Sequence, residues 1–132
     1  GSILENLTLF RPDKWREAMA AAEVLDIANF INALPKGFHT VVGEGPQHSL
    51  PRGLAQLIAI GRILIDKPKV ILFDAANSAV DYRGDEAVKS LLSDIKGEAT
   101  IIMVSHRPSI LRLADRAMHL EGGHLDQEAL DI

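Results

Sequence analysis

The chain has 132 residues, 47% of them apolar and 24% charged, the composition of one compact globular domain able to bury a core. A formal net charge of −4, with the basic residues scattered, gives no reason to expect nucleic acid or an anionic membrane surface as a partner. There is no cysteine, which excludes disulfides and thiolate metal sites and is compatible with a reducing compartment.

The chain opens Gly-Ser without an initiator Met or signal peptide, so it is expected to be a piece of a longer protein, with Gly1-Ser2 compatible with a cloning remnant. The stretch RPDKWREAMAAAEVL predicts a helix capped by Asp13, with Trp15, Met19, Ala22 and Leu25 on its apolar face. IANFINAL predicts a second, short helix closed by Pro35 and Gly37. A Gly- and Pro-rich loop, FHTVVGEGPQHSLPRG, leads to an apolar helix from about Pro51 to Ile65, where proline suits the first turn. Its core, LAQLIAIGRILI, is twelve residues long and contains Arg62, too short and interrupted to span a bilayer.

A division falls near Asp66-Lys67-Pro68, separating residues 1–66 from 67–132. The second half alternates. KPKVILFD predicts a buried strand, GDEAVKSLLSDI a helix with the stripe Val88, Leu91, Leu92 and Ile95, and ATIIMVSH another buried strand. PSILRLA predicts a short helix, RAMHLE a third strand, and Glu121-Gly122-Gly123-His124 a turn into a last one. Apolar strands separated by helices indicate an α/β fold with a mainly parallel sheet covered on both faces, and ligands in such sheets sit at the carboxyl ends of the strands. Asp74 and His106 each follow the last apolar residue or two of a strand, so both are expected at that edge. Taken alone, Asp74 also reads as an exposed strand-end acid, His106 as a helix-entry residue, and Ser78 to Asp81 as a capped turn before a helix. His39, His48, His119 and His124 show no ligand-like spacing and are expected at the surface or in turns.

The order of these segments resembles the C-terminal two-thirds of an ATP-binding cassette, the nucleotide-binding domain of ABC transporters, most of all in its exporter branch. GSILENLTL resembles the segment after the glutamine loop, and INALPKGFHTVVGEG the stretch before the signature. ILFDAANSAVD resembles the Walker B strand and D-loop, MVSHRPS the switch-histidine region, and HLEGGHL the closing hairpin. The resemblance implies a partial P-loop NTPase core (67–132) joined to an α-helical, signature-bearing subdomain (1–66). It implies Mg²⁺ at Asp74, a γ-phosphate contact at His106, and Ser78 and Asp81 in a D-loop that crosses a dimer interface. The implied cofactors are ATP and Mg²⁺. The implied partners are a second cassette and transmembrane domains, at the cytoplasmic face of a membrane.

Three features depart from the family pattern. The catalytic glutamate is replaced by Ala75, and loss of a positioned base costs on the order of 10² to 10⁴ in rate. Counting back from Arg62, the signature Leu-Ser-Gly-Gly-Gln falls on Leu50, Pro51, Arg52, Gly53 and Leu54, after a loop one residue longer than the family's. Pro51 removes a hydroxyl and an N–H from a helix start suited to anions, and Arg52 replaces a glycine that lets backbone approach a phosphate. The Gly-rich phosphate loop with its Lys, and the glutamine loop, are not within these residues; the resemblance places both upstream of Gly1. Two functions follow as expectations: a largely non-hydrolytic transporter cassette, or a pseudo-ATPase kept for interaction or regulation.

Overall fold

A computed structural model of the chain describes residues 1–43 and 49–128. Part of the expected Gly- and Pro-rich loop, with His48, falls at 44–48, outside the described residues. The chain starts with a short helix, α1 (Ile3–Thr8). It is nucleated by a reciprocal cap: the Glu5 N–H donates to Ser2 Oγ at 3.1 Å, and the Glu5 carboxylate accepts from the Ser2 N–H at 2.6 Å. The Ser-x-x-Glu spacing that announces this cap is visible in the sequence.

The next helix corrects two expectations. Pro12–Lys14 form a separate 3₁₀ turn, and α2 spans Trp15–Val24, so Asp13 caps nothing. The buried face of α2 is Ala18, Ala21 and Ala22, continued by Leu25, whereas Trp15 is exposed with the Arg16 guanidinium 5.4 Å from its ring centre. Small residues win the core face because two helices press on it. α3 (Ala28–Ala33) follows, and Gly37 takes the positive φ that ends the turn after it.

The 15-residue helix α4 (Arg52–Asp66) is the hub. Leu54, Leu57, Ile58, Ile60 and Ile65 are buried along it, and Gly61 admits α1 and α2. A Cβ at Gly61 would lie 2.8 Å from Leu7 Cδ2 and 3.3 Å from Leu25 Cδ1. Arg62 Nε donates to the Asn6 carbonyl at 2.8 Å, fixing α1 lengthwise. Pro51 is not in the first turn as expected but precedes it as the N-cap residue, with no side chain capping the helix.

Strand β1 (Val70–Asp74) leads to α5 (Tyr82–Ile95), and β2 (Thr100–Val104) to the one-turn helix α6 (Pro108–Leu111). β1 and β2 are parallel and in register, Val70 opposite Thr100 and Asp74 opposite Val104. β3 (Ala117–Glu121) and β4 (His124–Glu128) form an antiparallel hairpin as a separate sheet. The fold is α/β, but the expected third strand does not join the parallel sheet among the described residues. That sheet is also covered on one face only: Ile71 and Phe73 are buried, whereas Val70, Leu72, Ile102 and Val104 are exposed. Helices α4 and α5 lie on the same core cluster as Phe73, and the described residues hold nothing to lay on the opposite side.

Candidate functional site

The register of β1 and β2 decides where the candidate residues stand. With Asp74 level with Val104, the two strand ends finish together and His106 lies two residues beyond, so Asp74 and His106 share one edge of the sheet, both exposed. The Ala75 N–H extends the ladder one step, donating to the Val104 carbonyl at 2.9 Å. Ala75 then turns the chain away with φ of +44°, a region that L-residues other than Asn and Asp seldom occupy. Its methyl offers no acceptor at the position beside Asp74.

The loop from 75 to 81 is closely tied. The Ser78 N–H donates to the Ala75 carbonyl at 3.0 Å and the Val80 N–H to the Asn77 carbonyl at 3.2 Å. Asp81 is the N-cap of α5, accepting from the Gly84 N–H at 2.9 Å, so the reading of this stretch as a capped turn is correct. From α4, Gln56 Nε2 donates to Ser78 Oγ at 3.0 Å while Gln56 Oε1 accepts from the Ala79 N–H at 2.8 Å. Gly53 touches the same loop: a Cβ there would be 2.7 Å from the Ala79 carbonyl oxygen.

Behind the loop lies a polar cluster that the sequence reading missed. Asp85 Oδ1 accepts from Asn77 Nδ2 at 2.5 Å and from Arg107 Nη1 at 2.9 Å, and Oδ2 accepts from Ser109 Oγ at 2.9 Å. Arg107 Nη2 reaches on to the carbonyls of Val80 at 3.1 Å and Ser78 at 3.4 Å. Both oxygens of the Asp85 carboxylate thus accept hydrogen bonds, which is what lets an acid with a side chain only 10% exposed stay in the core. A signal existed: Asp85 stands at i−3 and i−7 from Val88 and Leu92, a charge on an otherwise apolar stripe.

The expected signature residues divide. Pro51, Gly53 and Leu54 line a cleft of about 370 Å³ together with Ala79, Val80, Asp81 and Phe30, while Asp74, Ala75 and His106 lie outside its lining. Leu54 is buried in the core, Arg52 is exposed, and Leu50 lines a different hollow with Arg62. His39, His119 and His124 are exposed, as expected. Among the described residues no three His, Asp or Glu side chains stand together in a way that could hold a metal ion. Asp74 offers one hard oxygen ligand, and the sequence has no phosphate-cradling Gly-rich loop. The described residues therefore do not by themselves make a magnesium–nucleotide site.

Sequence and fold together make the chain a homologue of the ATP-binding proteins of ABC exporters, with a partial P-loop NTPase fold of that type. It is 38% identical over 125 residues to the cyclolysin secretion/processing ATP-binding protein CyaB of Bordetella pertussis, covering 94% of this chain and 17% of that protein. It is 34% identical over 128 residues to the alpha-hemolysin translocation ATP-binding protein HlyB of Escherichia coli O157:H7, covering 96% of this chain and 18% of that protein. To the ATP-dependent lipid A-core flippase of Haemophilus influenzae it is 35% identical over 126 residues, 94% of this chain and 21% of the flippase. Among solved structures, a bacterial Atm1-family ABC exporter with ATP bound superposes with a TM-score of 0.83 at 34% identity, over 96% of this chain and 22% of the exporter. No family model matches the sequence. The chain spans less than a quarter of the length of each of these proteins.

Proposed function

We propose that the chain is the signature- and D-loop-bearing part of an ABC exporter's ATP-binding domain, with little or no ATP hydrolysis of its own. In this reading residues 1–66 are the helical subdomain and 67–132 the C-terminal part of the ATPase core. It works at the cytoplasmic face of a membrane with a second cassette and with transmembrane domains, and nucleotide and Mg²⁺ are held jointly with segments outside these 132 residues. Within the described residues no helix is long and apolar enough to cross a membrane.

One observation carries the non-hydrolytic part: the strand, turn and capped helix that surround a catalytic glutamate in the family are all built, and a methyl occupies the glutamate's place at Ala75. A steady-state ATPase assay on the assembled transporter tests it. Turnover about 10² to 10⁴ below that of an intact cassette pair is expected, and turnover equal to an intact pair's would overturn the proposal.

The second reading, a pseudo-ATPase interaction module, is favoured by the exposed Leu9, Phe10, Trp15, Val24 and Phe30 within the first 43 residues. Dimerisation that requires Mg-ATP supports the cassette reading. Partner-dependent protection of these five side chains without any nucleotide response supports the module.

A further inference from the structure

The loop at 78–80 is gripped from two sides. Of its six backbone polar groups, the N–H groups of Ser78 and Val80 are bonded within the 75–81 turn, and those that remain meet side chains or backbone from elsewhere. The Ala79 N–H and Ser78 Oγ are held by the two ends of one Gln56 amide. The Ser78 and Val80 carbonyls receive the Arg107 guanidinium, which is itself anchored on Asp85. The Ala79 carbonyl faces Gly53, where no side chain fits between loop and helix. The first element is the start of α4, and the second is the residue directly after His106.

We propose that Gln56 and Arg107 are positioning residues that clamp 78–80 between the start of α4 and the segment 105–109, with Gly53 setting the gap. Displacement of α4 is then passed to the backbone that carries His106, and the reverse. The inference rests on the reading of these segments as signature, D-loop and switch, and it names the side chains that link them. A planar guanidinium with several donors in a fixed fork can bond a carboxylate and two carbonyls at once; a lysine ammonium cannot reproduce that fork. The substitution Arg107→Lys therefore separates pairing with Asp85 from gripping the loop.

The test is amide NMR of the full 132-residue chain, with no nucleotide present. In Gln56→Leu, which keeps the volume and removes both bonds, the amides of Arg107 and Ser109 are expected to shift although neither touches residue 56. In Arg107→Lys the thermal midpoint is expected to stay within a few degrees, while the Gly53 amide and the Gln56 side-chain amide shift. Perturbations confined to residues adjoining each substitution would overturn the proposal. Should Arg107→Lys fail to fold, Gln56→Leu decides alone, because Gln56 is only half-buried. Failure of the assembled transporter to bind nucleotide would sink the cassette reading and leave this outcome unchanged, so the two are separable.

Discussion

Ala75 is one of the non-glycine residues, with Leu9, Phe10, Asp26 and Lys67, that hold a positive φ. A Cβ at φ of +44° costs about 1–2 kcal/mol, and the Ala75 N–H is committed to the last bond of the ladder, so the chain cannot relax without losing it. Ala75→Gly is expected to raise stability by about 0.5–1 kcal/mol, less than the full strain because glycine has more freedom to lose. Urea unfolding checks this. A higher midpoint at unchanged slope is expected, and a lower midpoint would mean that the turn is not strained. The site was partly legible at this scale. Asp74, Ala75, His106 and the cap at Asp81 are readable because each depends on neighbours in sequence. The Asp85 cluster is not, because Arg107 is brought to it from 22 residues away by the pairing of two strands.

Among the elements, α1 shows what a cap can do and how it fails. The Glu5 carboxyl is held below the ordinary glutamate range, first by the Ser2 N–H and then by the Ser2 hydroxyl. The sign follows from that direction. A carboxyl with a depressed folded value contributes to the helix start at pH above its unfolded value, and the contribution is lost as pH falls through the folded one. Acid should therefore release the first turn before the rest, seen as a Ser2 amide that titrates with Glu5. In Ser2→Ala the Glu5 midpoint should move up; an unchanged midpoint would show that the hydroxyl has no part. Elements whose apolar stripe is long, α4 and α5, were placed by the sequence to within two residues. At α2 the cap was misassigned, because Pro12 favours a tight turn that the apolar spacing alone conceals, and Trp15 was assigned to the core by a period it fits but a surface it does not reach.

For the whole molecule, the helical packing was legible and the state of the sheet was not. A run such as VILF looks doubly buried in sequence, yet in the structure Phe73 is 1% exposed and Leu72 is 76% exposed. Sequence composition reports the environment a strand is suited to, and the described residues supply half of it. A bare face of Val70, Leu72, Ile102 and Val104 should make the chain self-associate. Leu72→Lys is expected to shift sedimentation toward monomer with a stability change within about 0.5 kcal/mol, since its side chain leaves no cavity behind. Sedimentation unchanged by Leu72→Lys would place the association elsewhere.

The sheet has two strands, so each pairs on one side and presents an open row of backbone N–H and C=O groups on the other, among the described residues. Such rows are templates for added strands, and a short, apolar, uncharged segment such as VILF is the kind that extends into cross-β stacks. Lys67 and Lys69 stand directly before β1, and Lys96 and Glu98 before β2. Charges at those four positions act as gatekeepers that oppose in-register stacking of identical copies. The chain thus carries its own defence against fibril growth at the places where its sheet is unfinished, and that defence weakens as salt screens the lysines.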